Sequence, residues 1–185
     1  MRRLLTVMLL CLLLAGCSEG QSMISRAVEF RAALVQAGGC SFQAEIIADF
    51  GETVESFTVS CEAQADGETN LTILEPETLA GITANVTQAG GKITYDGIML
   101  DFGLLAEEAL APAAAPSLMV ACWSGEYISS AGNEDAYYRV SYEKGYDEDV
   151  LKVDTWFENS LPIYAEVCYN DVRILQLKIT KFEFY

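Results

Sequence analysis

Cys40-Ser41-Phe42-Gln43-Ala44-Glu45-Ile46-Ile47-Ala48, followed by the stretch from Thr53 to Ala63, reads as a β-hairpin. The first run alternates Cys40, Phe42, Ala44 and Ile46 against Ser41, Gln43, Glu45 and Ile47. The second places Glu55, Phe57, Val59 and Cys61 on one face. Alternation with period 2 is the mark of a strand with one face buried. With Phe50-Gly51 as a two-residue turn, Phe42 faces Val59, Ala44 faces Phe57 and Cys40 faces Cys61. Opposed residues at a non-hydrogen-bonded site lie about 4.5 to 5.5 Å apart, a spacing that suits a disulfide.

Outward from this hairpin, the chain continues in the same manner. Ser25 to Ala37 has helical spacing of Ile24, Ala27, Val28, Phe30, Leu34 and Val35, and Gly38-Gly39 ends it. Thr69 to Leu74 is a strand, and Glu75 to Gly81 a short helical turn with Pro near its start and Gly at its end. Ile82 to Thr87, Lys92 to Tyr95 and Ile98 to Phe102 follow as strands, the last two joined by Asp96-Gly97, a strong hairpin signal. Leu104 to Leu110 and Ser117 to Trp123 form an apolar helical insertion broken by Pro112 and Pro116. Five more strands then run from Tyr127 to Phe184, with turns at Gly132-Asn133, Gly145, Asn159-Ser160 and Asn170-Asp171. The reading is α+β: a strongly curved, half-open antiparallel β-barrel of about eleven strands. An N-terminal helix and a short helical lid lie on its concave face.

The start of the chain has another purpose. Met1-Arg2-Arg3 is basic, Leu4 to Leu14 is apolar, and Leu14-Ala15-Gly16-Cys17 follows the lipobox pattern. The apolar run is shorter than the roughly 20 residues that span a bilayer. It resembles the signal of bacterial lipoprotein precursors. That resemblance implies a signal peptide over 1–16, diacylglyceryl and palmitate chains on Cys17, an acylated tether over 17–22 and one domain over 23–185. Localisation is then extracytoplasmic, anchored to the cell membrane, or to the outer membrane of a Gram-negative source.

Loss of Arg2 and Arg3 leaves 9 basic against 27 acidic side chains, a formal charge of −18. Nucleic acid is excluded as a partner on that ground, since phosphate contacts need Lys and Arg. No His occurs, so Ser-His-Asp and Cys-His catalysis are excluded. Of the six Cys, Cys11 leaves with the signal and Cys17 is acylated. The remaining four allow three pairings. The hairpin register selects Cys40–Cys61 and leaves Cys122–Cys168.

The element order resembles that of the LolA/LolB and RseB group of bacterial envelope proteins. So does Leu74-Glu75-Pro76-Glu77-Thr78-Leu79-Ala80-Gly81, with Gly91-Lys92-Ile93-Thr94-Tyr95-Asp96-Gly97 after it. The group implies a half-open barrel with helices across its concave face. It also implies a cavity for lipid chains or an interface for another envelope protein, and no catalysis. Phe42, Phe57, Val59, Ile98 and Leu100 are the expected lining of such a cavity, with an acyl chain or lipid as its ligand. A domain that docks another envelope protein is the alternative, and a cavity filled by the middle helices would favour it.

No metal or cofactor is expected. Glu143, Asp147, Glu148 and Asp149 crowd a turn, but their spacing is not that of an EF-hand loop. They read as a solvated hairpin tip, as do Asp49, Glu52 and Glu55. Trp123 and Trp156 could flank a ligand, but core filling is the simpler reading. The Asn70 and Asn85 sequons are discounted in a bacterial chain.

Overall fold

The computed structural model describes residues 18–49, 53–87, 89–103, 105–106, 109–145 and 150–185. The signal, Cys17, Glu52 and the acidic run 147–149 lie outside the described residues. Helix α1 covers Ser18–Ala37. It is followed by β1 (Gly39–Asp49), β2 (Val54–Gln64), β3 (Thr69–Glu75), β4 (Thr83–Thr87), β5 (Gly90–Tyr95) and β6 (Ile98–Phe102). A small hairpin, β7 (Leu105–Ala106) and β8 (Ala109–Leu110), leads through a 3-10 turn at Pro112–Ala114 into α2 (Ala115–Ser124). The chain closes with β9 (Tyr127–Glu134), β10 (Tyr137–Lys144), β11 (Leu151–Glu158), β12 (Leu161–Tyr169) and β13 (Val172–Phe184).

Eleven strands form one antiparallel sheet in the order β6-β5-β4-β3-β2-β1-β13-β12-β11-β10-β9. The sheet does not close, so β6 and β9 are its two edges. Its concave face carries α1 and α2, in agreement with the half-open barrel expected from the sequence. The faces follow the alternation: Phe42, Ala44, Ile46, Val59 and Cys61 are all buried on the concave side.

Several expectations need correction. The hairpin register is shifted by two residues: Cys40 faces Ala63, Phe42 faces Cys61 and Ala44 faces Val59. Pairing ends at Asp49 and Val54, so the connection is four residues long rather than two. A two-residue shift leaves every side chain on its own face, so the apolar pattern fits both registers. Cys40 and Cys61 are therefore not opposed, and the Cys40–Cys61 bridge is not formed. Nor is Cys122–Cys168, because Cys122 is buried in α2 on the concave side. Cys168 alternates with the buried Val167 and pairs with Lys152 on the convex side. The sheet separates the two, and all four thiols are free.

Helix α1 begins at Ser18, so the segment read as a tether forms its first turns. Leu104 to Leu110 contains the β7–β8 hairpin instead of a helix. The β9–β10 turn falls after Glu134, which faces Tyr137, and β9 runs through Gly132-Asn133. Asn159-Ser160 and Asn170-Asp171 do make turns, all four residues having positive φ.

In β13 the pairing with β1 shifts between Ser41 and Gln43, and Lys181 has φ +51°. One inserted residue reverses the alternation. Leu175, Leu177 and Ile179 face the core before the bulge. Phe182 and Phe184 face it afterwards, against Phe30.

Candidate functional site

The centre of the concavity is occupied by α2. Every residue of α2 from Ala115 to Trp123 is buried. The sequence has no polar face, and a helix apolar all round is stable only inside a core. Pro116 sits in the first turn, where no backbone donor is lost. The Ser117 hydroxyl donates to the Gly67 carbonyl at 2.6 Å. The Trp123 indole N–H donates to the Thr155 hydroxyl at 2.9 Å. Around Trp123 stand Phe30, Phe42 and Phe182, with ring centroids 5.6, 6.2 and 6.0 Å away. Arg31 of α1 closes the C-terminal end. It donates to the carbonyls of Trp123 at 2.9 Å, Cys122 at 3.2 Å and Glu126 at 2.6 Å. The first two are carbonyls a helix end leaves unsatisfied, Glu126 follows the helix, and a cation there also meets the negative end of the dipole.

The five residues expected to line a cavity share the concave side, yet they do not surround one space. Phe42 and Val59 are packed in the core. Phe57 is half-buried against its margin. Ile98 and Leu100 are each 64 % exposed. They belong to the concave side because Leu100 pairs with Ile93 and Ile93 with Ala84, which is buried. The helices reach β9, β10, β13, β1 and β2, whereas β5 and β6 lie beyond them as an exposed apolar end. Tyr95 and Met99 are exposed there as well.

A cleft of about 700 Å³ lies beside Phe57. Leu74, Pro76 and Ala80 line it together with the polar Glu45, Ser56, Thr58, Glu75 and Glu77. Ser56 donates to Glu45 and Thr58 to Glu75, both at 3.3 Å, which fixes two of the three carboxylates on the sheet. A second cleft, of about 690 Å³, has Arg31, Glu126, Tyr127 and Glu143 in its wall, with Lys144 3.3 Å from Glu126.

Trp156 and Trp123 stand on opposite faces of the sheet. Trp156 donates to Glu134 at 3.1 Å and packs on Tyr164 at 5.2 Å. Asn70 and Asn85 are cross-strand partners joined by a side-chain hydrogen bond of 2.9 Å. Asp49 and Glu55 flank the first hairpin. A buried carboxylate escaped sequence reasoning: Asp154, on the convex face, is 5 % exposed, accepts from the Ser141 hydroxyl and pairs with Lys152 at 3.5 Å. Three residues from two strands leave no spacing signal. Among the described residues no group of three or more Cys, Asp or Glu could hold a metal ion. No described helix is long and apolar enough to cross a membrane.

No protein-family model matches the sequence, and no curated protein matches it. The structure is similar to a LolA superfamily protein from Nitrosomonas europaea, at 10 % identity and TM-score 0.49, over 91 % of this chain and 94 % of that one. It is also similar to lipoprotein LppX from Mycobacterium tuberculosis, at 9 % identity and TM-score 0.41, over 87 % and 93 %. A further likeness is to the MucA/MucB complex structure from Pseudomonas aeruginosa, at 14 % identity and TM-score 0.34, over 85 % and 56 %. These likenesses concern architecture alone.

Proposed function

We propose that the chain is a non-enzymatic, extracytoplasmic domain, tethered to its membrane through Cys17, that docks another envelope protein. One observation carries this reading. The interior is occupied by α2, while a cleft outside it brings Phe57, Leu74, Pro76 and Ala80 together with Glu45, Glu75 and Glu77. Three carboxylates beside apolar side chains repel the anionic head of a fatty acid or phospholipid and attract Lys and Arg. The fitting partner is a segment with apolar side chains flanked by basic ones. The formal charge of −16 agrees with a binding role toward a basic partner.

A second reading, binding of an acyl chain, is favoured by the exposed concave side of Tyr95, Ile98 and Leu100. It places the ligand at the open end of the sheet, away from the packed centre.

The two are separated with the full chain in detergent. A dye-labelled peptide of leucines flanked by lysines is expected to bind saturably, weaken with added salt, and lose binding in Glu75→Lys with Glu77→Lys. A glutamate-flanked peptide is expected not to bind. One-to-one uptake of a fluorescent fatty acid, unchanged by the charge reversal and without lysine-peptide binding, would overturn docking in favour of the lipid.

A further inference from the structure

We infer that the β6 edge pairs with the β6 edge of a second copy of this chain, making a two-fold dimer with one continuous sheet. The two edges of the sheet are built differently. β9 is largely polar along Ser129, Ser130, Asn133 and Glu134, and its pairing with β10 is broken by a bulge. Such features guard an edge against pairing. β6 reads Ile98-Met99-Leu100-Asp101-Phe102, with no Pro, no Lys and an unbroken register on β5. Ile98, Met99 and Leu100 are each more than 60 % exposed.

The backbone fixes how β6 can be met. Asp96-Gly97, with φ +47° and +79°, is a two-residue turn, so Tyr95 and Ile98 form the hydrogen-bonded pair that closes it. Alternation then turns the N–H and C=O of Met99 and Asp101 away from β5, where they have no strand partner among the described residues. An antiparallel second copy centred on Leu100 sets Met99 against Asp101 twice, which satisfies these groups in four N–H···O=C bonds. On the concave side Leu100 meets Leu100, and Ile98 meets Phe102. Sliding by two residues one way sets Asp101 on Asp101, two like charges in contact. Sliding the other way leaves Met99 facing Met99 and Asp101 facing the turn. One register therefore stands out, and it is self-complementary, as a two-fold interface requires. The chain's overall negative charge opposes association weakly here. β5, β6 and the turn between them carry only Lys92, Asp96 and Asp101, and distant charges are screened beyond about 8 Å at physiological salt. This inference depends neither on the Cys17 anchor nor on the acidic cleft.

The test is disulfide trapping in the full chain, with Leu100→Cys and Ile98→Cys compared under mild oxidation. Both sites have the same exposure, so a difference reports register and not reactivity. Two residues facing each other at a non-hydrogen-bonded site, about 4.5 Å apart at Cα, are within disulfide reach. Leu100→Cys is expected to give a covalent dimer at least tenfold more abundant than Ile98→Cys. In sedimentation of the full chain in detergent, Met99→Lys, which faces Asp101, is expected to tighten the dimer severalfold, and Met99→Asp to loosen it as much. Equal trapping at both sites, no trapping at Leu100→Cys, or indifference to the Met99 charge would overturn the inference.

Discussion

Arg31 on the first helix donates from Nε to the main-chain carbonyl of Trp123, ninety-two residues away, at 2.9 Å. With the bonds to Cys122 and Glu126, this fork fastens the central helix to the N-terminal one. Arg31→Met should strand those carbonyls, at a cost of about 1 to 3 kcal/mol. Arg31→Lys should recover only part, since an ammonium lacks the planar fork. Denaturant unfolding measures both; an unchanged midpoint for Arg31→Met would show that water replaces the clasp.

The buried thiols make stability fall at alkaline pH. Burial pushes Cys40 and Cys122 from 9 up to about 12, and Cys61 is raised by burial and by Cys40 beside it. A raised folded value means that the native state holds its proton more tightly. The stabilisation is complete below pH 9 and is lost as pH rises from 9 toward 12. Each thiol should contribute a slope of about 1.4 kcal/mol per pH unit in that window. Cys122→Ala should flatten the curve by one such increment, seen in urea unfolding between pH 8 and about 11.

Alkylation followed by mass spectrometry should order the same cysteines. Cys168 is half-buried and the other three are buried. In folded protein Cys168 should react first, and Cys40, Cys61 and Cys122 only on unfolding. Recovery of disulfide-linked peptides from these four would contradict the free thiols.

Tyr142 is fully buried, and its hydroxyl has no hydrogen-bond partner among the described residues. Tyr142→Phe should therefore be neutral or slightly stabilising, because it removes an unsatisfied group and keeps the ring. A loss above about 1 kcal/mol would reveal a bound water serving that hydroxyl.

Gly91 is the cross-strand partner of Phe102, whose ring occupies the space a Cβ would take. Gly91→Ala should displace the ring and destabilise by about 1 to 3 kcal/mol. Gly91→Ala made together with Phe102→Ala should lose much less than the two changes summed, as a double-mutant cycle would show.

Much of this architecture was legible because strand faces depend only on period-2 alternation. Phe42, Ala44, Ile46 and Val59 could be assigned inward without knowing their partners. The partners were not legible: moving Cys61 from Cys40 to Phe42 preserves every face, and only the length of the connection decides. Asn159-Ser160 was readable as a turn from residue type, whereas Gly132-Asn133 has the same chemistry inside a strand. The apolar middle was visible in the sequence as a short helical lid, and Ala115–Trp123 is buried on the concave face. A stretch without a polar face fits a fixed plug better than a lid, which would need one side suited to water. Asp154 was invisible, since its neighbours Ser141 and Lys152 are assembled only by the sheet.

That distinction between plug and lid is the central claim, and amide hydrogen exchange over Ala115–Ser124 tests it most directly. A plug held by Arg31 and by the rings around Trp123 should exchange only with global unfolding, at the rate of β1 and β10 and without response to added fatty acid. Exchange in α2 well ahead of those strands, slowed when fatty acid is added, would contradict the account and restore a lid over a lipid cavity.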